Sequence, residues 1–166
     1  HPRSSAASDV YKRQALSPFN AFQLLQGIET LNLRMERHCA NTQAVAEYLH
    51  SHANVEWVSY AGLSDHPHHA LAQQYMGGKA SGILTFGVKG GFDAGVKFYD
   101  ALQLFKRLVN IGDAKSLACH PASTTHRQLT EDEQRAVGVA PEAIRLSVGI
   151  EHIDDIIEDL NQALAS

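Results

Sequence analysis

The stretch from residue 143 to residue 164 limits the possible folds most. In Ala143-Ile144-Arg145-Leu146-Ser147-Val148-Gly149-Ile150, Ile144, Leu146, Val148 and Ile150 fall on one strand face; Arg145, Ser147 and Gly149 fall on the other. Immediately after it, Ile153, Ile156, Ile157, Leu160 and Leu164 make an apolar stripe at helical spacing. A strand apolar on one face and a helix apolar on one side hide their surfaces together by packing helix on sheet.

The rest of the sequence repeats this logic. Ser17-Pro18 is a helix start, with a capping hydroxyl followed by a residue whose missing N–H costs nothing there. A long helical region is predicted over 19–50, carrying Phe22, Leu25, Ile28 and Leu31, then Val45, Tyr48 and Leu49, with a bend at Gly27 or Asn32. A helix this long suits a bridge between two domains or an interface with a partner. Strands are predicted over 55–60, 82–88, 108–111, 116–119 and 143–150, the third and fourth flanking a Gly112-Asp113 turn. Helices are predicted over 66–75 and over 92–105, the latter with Val96, Tyr99 and Leu102 on one face. Thr130-Glu131-Asp132-Glu133 reads as a capping box. The expected fold is α/β, a sheet covered by helices, without internal repeats.

Residues 1–14 differ from the remainder, being small, polar and basic with no apolar period. They are expected to be a non-native or disordered tail, with one domain over 15–166. The chain does not begin with Met, so a truncated start and a missing preceding domain are expected. At 44% hydrophobic and 19% charged, 166 residues can bury a core. A net charge of -4 offers no basic footprint for nucleic acid, and no apolar run approaches the roughly 20 residues of a membrane helix. Cys39 and Cys119 stand apart with no CxxC motif, which suits reduced thiols in a cytoplasmic protein.

Several clusters carry possible chemistry. Small neighbours leave room around Arg145, and a guanidinium can hold a carboxylate with two hydrogen bonds. A solvated strand face explains the same pattern. Cys119-His120-Pro121-Ala122-Ser123-Thr124-Thr125-His126 gathers two histidines and three hydroxyls after a strand. A Ser/His pair is conceivable, but there is no GxSxG elbow, and local turns or a structural His126 explain the run equally well. His66-Pro67-His68-His69 lacks a third ligand or HExxH pattern, so no metal site is expected. Gly77-Gly78-Lys79-Ala80-Ser81 fails the phosphate-loop pattern, and residues 87–91 fail GxGxxG.

Leu16-Ser17-Pro18-Phe19-Asn20-Ala21-Phe22, Gln26-Gly27-Ile28-Glu29-Thr30-Leu31 and Leu33-Arg34-Met35-Glu36-Arg37-His38 lead the chain in. Asn110-Ile111-Gly112-Asp113-Ala114-Lys115-Ser116-Leu117, His120-Pro121-Ala122-Ser123-Thr124-Thr125-His126 and Ile144-Arg145-Leu146-Ser147-Val148-Gly149-Ile150-Glu151 follow. In this order they resemble the C-terminal domain of the Cys/Met-metabolism enzymes that use pyridoxal 5′-phosphate (PLP), across residues 15–166. The Asn110 context and Ser123-Thr124-Thr125-His126 are similar to the O-acetylhomoserine sulfhydrylase branch. Cystathionine synthases and lyases usually carry Ser in a Ser-Leu-Gly-Gly context instead.

The resemblance implies the small C-terminal domain of the aspartate-aminotransferase type (fold type I), in an enzyme that is a homo-oligomer at full length. It implies that Arg145 binds the α-carboxylate of a small amino-acid substrate, that Asn110 assists, and that Thr125 lines the site. It implies methionine biosynthesis: PLP acts as electron sink, acetate leaves O-acetylhomoserine by γ-elimination, and sulfide or a thiol adds. A cystathionine or methionine γ-lyase, a cystathionine γ-synthase, or a non-catalytic assembly module are the alternatives. The family's Schiff-base lysine follows Ser-x-[Ser/Thr] and precedes Gly-His. Lys12, Lys79, Lys89, Lys97, Lys106 and Lys115 all lack that context. No catalytic residue is therefore expected within this chain. PLP would be held mainly by an N-terminal domain, and the chain alone would be inactive.

Overall fold

A computed structural model describes residues 16–166, in two units that divide between Leu33 and Arg34. The tail expected over residues 1–14 lies outside the described residues.

In the first unit, Ser17 caps helix α1 (Pro18–Glu29): its Oγ accepts from the Asn20 N–H at 3.2 Å, and Pro18 opens the first turn. The interruption falls at Thr30, not at Gly27 or Asn32. There φ is -103° and ψ is 4°, and the N–H turns to the Ile28 carbonyl, breaking the ladder. Two helices thus replace the single one expected, α1 and α2 (Leu31–His50). The predicted stripe of Phe22, Leu25, Ile28 and Leu31 is exposed.

The second unit is built on five strands: β1 (Val55–Ser59), β2 (Ile83–Val88), β3 (Lys106–Arg107), β4 (Leu117–Cys119) and β5 (Ala143–Ser147). They lie in the order β1-β2-β5-β4-β3, antiparallel except for the β3–β4 pair. The helices are α3 (His69–Met76), α4 (Gly91–Ala101), α5 (Glu131–Ala136) and α6 (Ile153–Leu164). The capping box is present at α5, where the Thr130 N–H and hydroxyl hold the Glu133 carboxyl below its usual range.

One sheet face is the core. Leu84, Phe86, Ile144, Leu146 and Ala118 are buried there with Val45 and Leu49 of α2, Phe98 of α4, and Ile156, Leu160 and Ala163 of α6. Phe86 and Phe98 meet edge to face at 5.4 Å. The α6 stripe predicted from sequence buries Ile156, Leu160 and Leu164. Leu102 is buried as predicted, just past the end of α4, but within the helix the buried face falls on Gly95 and Phe98, one residue before the predicted Val96 and Tyr99. Gly95 explains the phase, because a Cβ there would stand 2.8 Å from His120 Nε2.

The strand predicted over 108–111 is not formed. Strand β3 comes earlier, where Lys106 and Arg107 lie opposite Leu117 and Ala118, and Leu108, Val109 and Ile111 are exposed beyond it. The chain between α4 and β3 is held by Asp159 of α6, whose carboxylate accepts the N–H groups of Gln103, Leu104 and Phe105.

Candidate functional site

The other face of the sheet carries Arg145. Its direct neighbours across the strands are Thr85 on β2 and Cys119 on β4. Such opposed residues place their Cβ atoms about 5 Å apart on a common face. Neither neighbour bears a carboxylate. Arg145 is half-buried, and among the described residues no ion pair or side-chain hydrogen bond reaches its guanidinium. A half-buried guanidinium without a counter-charge is costly unless it serves an anion. The solvated-surface explanation fits this poorly, because Ala143 and Ser147, two residues to either side on the same face, are buried. The Ser147 hydroxyl is buried without a hydrogen-bond partner, which adds a second free polar group to this face.

Two loops flank β4. Residues 120–126 begin at Cys119, the cross-strand neighbour of Arg145, and hold Thr125 exposed, its hydroxyl 2.8 Å from His126 Nδ1. Cys119 Sγ lies 3.4 Å from Thr124 Oγ1. His120 anchors this loop. Its Nε2 meets the Pro141 carbonyl at 2.7 Å, and its Nδ1 meets Ser123 Oγ at 2.7 Å. The contact with a carbonyl requires Nε2 to carry the proton, so Nδ1 accepts from Ser123. The Ser/His pair conceivable from sequence is thus formed, but it ties a loop down: His120 is fully buried. The sequence offered His126 as a structural hydrogen-bonder; His120 fills that role more fully.

Burial pushes the His120 imidazole below its ordinary value of 6.5, and the bond to Pro141 partly opposes this. A depressed histidine means that the unfolded chain takes up the proton first. Its contribution to stability is complete above 6.5 and is lost as pH falls below that value. Urea midpoints measured from pH 7.5 to 5 should therefore fall more steeply for the wild type than for His120→Gln. Parallel slopes would show that His120 does not titrate in this way.

The second loop, 108–116, carries Asn110, which is exposed and whose Oδ1 accepts from the Ile111 N–H at 2.9 Å. The loop is closed at its end by Glu151. Its carboxylate accepts from the Ser116 N–H at 2.7 Å and from the Ser116 hydroxyl at 2.9 Å. Ser116 Oγ in turn accepts from the Gly149 N–H at 2.9 Å, and the Ala114 carbonyl accepts from the Ile150 N–H at 3.0 Å. A Cβ on Gly149 would collide with the Glu151 carboxylate and stand 2.6 Å from the Ala114 carbonyl, so only glycine allows this approach. No direct hydrogen bond joins Arg145 to Asn110 or Thr125. The sequence marked all three, but gave no sign of the Glu151–Ser116 contact or of the buried Ser147 hydroxyl.

The other clusters are accounted for locally. His69 Nδ1 faces the Ala61 carbonyl at 3.1 Å, and His66 Nδ1 accepts from the His68 N–H. Among the described residues no group of three or more His, Cys, Asp or Glu side chains is placed to hold a metal ion, and no helix is long and apolar enough to cross a membrane. Cys39 and Cys119 are free thiols.

A model of the Cys/Met metabolism PLP-dependent enzyme family matches residues 9–165. The chain belongs to this family. It is 57% identical over 151 residues to an O-acetyl-L-homoserine sulfhydrylase of Leptospira meyeri, covering 90% of the chain and 34% of that protein. Against O-acetyl-L-homoserine sulfhydrylase 1 of Thermus thermophilus the identity is 52% over 152 residues, covering 92% and 36%. An L-methionine gamma-lyase of Pseudomonas putida is 50% identical, over 90% of the chain and 37% of the lyase. In three dimensions the chain superposes on a crystal structure from Campylobacter jejuni, described as an O-acetylhomoserine (thiol)-lyase and containing N′-pyridoxyl-lysine-5′-monophosphate. The TM-score is 0.83 at 44% identity, covering 92% of the chain and 36% of the other. The α/β fold expected from the sequence is thus that of part of a fold type I enzyme. The chain spans about a third of the length of the relatives it matches.

PLP belongs to this family's chemistry. Lys79 pairs with Glu36 at 3.0 Å, and Lys89 donates to the Ala53 carbonyl at 2.6 Å. None of the six lysines stands in the Schiff-base context. The Arg145 guanidinium, with no ion pair among the described residues, has the planar donor geometry that matches the two oxygens of a carboxylate.

Proposed function

We propose that this chain is the substrate-carboxylate-binding part of a PLP-dependent enzyme that makes homocysteine or methionine from O-acetylhomoserine and sulfide or a thiol. The observation that carries this is the half-buried Arg145 guanidinium, without an ion pair among the described residues, on a strand face between Thr85 and Cys119. Its planar fork matches both oxygens of an α-carboxylate. The Asn110 Oδ1 is taken by Ile111, which leaves its Nδ2 hydrogens as donors for the same carboxylate. Thr125, on the neighbouring loop, lines the site. Fixing the carboxylate orients the remainder of the substrate and removes rotational freedom that would otherwise add to the barrier.

When bound, PLP would supply an electron sink for reaction at the substrate carbons, held mainly by a preceding N-terminal domain. The chain by itself is then inactive, and the complete protein is a cytoplasmic homo-oligomer. Support for the sulfhydrylase rather than the lyase reading comes from Asn110 and its Ile-Gly-Asp-Ala-Lys context, together with the sulfhydrylase relatives. The complete PLP-loaded protein is expected to form homocysteine from O-acetylhomoserine and sulfide much faster than it forms 2-oxobutanoate from methionine or cystathionine. The opposite ranking would assign it to the lyases.

A further inference from the structure

We infer that Glu151 is a positioning residue for substrate recognition, setting the loop that carries Asn110 against the strand that carries Arg145. The inference rests on the carboxylate-binding role proposed for those two residues.

Arg145 and Asn110 come from distant parts of the chain, and no direct bond registers them. Each lies six positions upstream of one partner of the Glu151–Ser116 contact. Strand β3 runs parallel to β4, with Arg107 opposite Ala118. The connection over 108–116 therefore leaves the sheet near the Cys119 level, which is the Arg145 level, and returns to begin β4 near the level of Val148. The returning limb has two backbone bonds, from the Ile150 N–H to the Ala114 carbonyl and from the Lys106 N–H to the Ser116 carbonyl, and one side-chain grip. That grip is the Glu151 carboxylate, both of whose oxygens are engaged by Ser116, reinforced by Ser116 Oγ on the Gly149 N–H. Charge-assisted bonds of this type are the stronger ones.

Glu151 is itself fixed from behind. Asn41 of α2 donates through Nδ2 to the carbonyls of Gly149 and Glu151, each at 3.0 Å, and His38 Nδ1 meets the Val148 carbonyl at 2.6 Å. The carboxylate thus joins a rigid helix and the end of β5 to an otherwise exposed loop. Ser116 is fully buried, so water cannot readily substitute for the lost bonds. Glu151 is not proposed to touch the substrate.

The test uses the complete PLP-loaded protein and two competitive inhibitors, L-norvaline and n-butylamine, which differ by the α-carboxylate. Glu151→Ala is expected to weaken norvaline about tenfold and to leave butylamine within about twofold. KM for O-acetylhomoserine should rise with kcat little changed, and amide exchange at Lys115 and Ser116 should quicken. Ser116→Ala should act in the same direction, and the double variant should be no worse than the single ones added. Equal weakening of both inhibitors, or unaltered exchange in the loop, would overturn the proposal. Should Glu151→Ala not fold, Glu151→Gln, which keeps one acceptor oxygen, must show a smaller norvaline-specific loss; none would count against it equally. Arg145→Ala, run alongside, tests the carboxylate reading by itself: if it spares norvaline, that reading fails while the exchange data still judge the Glu151 contact.

Discussion

Replacing Arg145 by Ala in the complete enzyme is expected to lower kcat/KM for O-acetylhomoserine by about 10²–10³-fold. Truncating one partner of a desolvated, hydrogen-bonded charge pair costs roughly 2–5 kcal/mol, much of it the penalty on the charge left behind. In the proposed role that charge is the substrate carboxylate, and Thr85 and Cys119, the residues across from Arg145, bring no cation to replace the guanidinium. The loss should fall mainly on KM, because a clamp on the carboxylate would act before and throughout the reaction alike. Arg145→Lys should restore only part of the affinity, since an ammonium keeps the charge but not the two-pronged geometry. Norvaline binding should collapse toward that of n-butylamine in Arg145→Ala. Kinetics unchanged from wild type would remove Arg145 from the site.

The placement of Arg145 was legible because a strand's alternation is strictly local. Ile144 and Leu146 must enter the core, so Arg145 must point the other way. The same locality made the Ser17 and Thr130 caps and the α6 stripe readable. Strand β3 was misplaced because β-forming residues do not by themselves make a strand. Leu108, Val109 and Ile111 have the composition, but pairing with β4 takes Lys106 and Arg107. The face of α4 was misread because His120, a residue far along the chain, packs at Gly95. Glu151 was visible as a residue and invisible as a contact. Its partner is 35 positions away, and no periodicity encodes a carboxylate meeting a buried Ser116. Family membership came from the order of linked motifs, which no single spacing could supply.

The largest loss of stability is expected at Asp159. Its Oδ1 accepts from Gln103 N–H at 2.9 Å, and its Oδ2 accepts from Leu104 at 2.9 Å and from Phe105 at 3.0 Å. Gln162 Nε2 adds a bond to Oδ1 and reaches the Ala101 carbonyl, so the end of α4 is tied to α6 at both its donors and its acceptors. The helix stops there because Leu102 turns extended, which leaves three consecutive N–H groups without carbonyl partners. Asp159 is 5% exposed, so water can do little to replace it. Asp159→Ala should cost about 3–5 kcal/mol, several charge-assisted bonds together with the desolvation penalty of the orphaned donors. Asp159→Asn should be nearly as harmful despite its matching shape. Every group facing the carboxylate is a donor, so an amide NH2 must be turned against at least one of them. Urea midpoints and exchange rates at Gln103, Leu104 and Phe105 would measure both variants. An Asn variant close to wild type would mean that packing, not hydrogen bonding, joins α4 to α6.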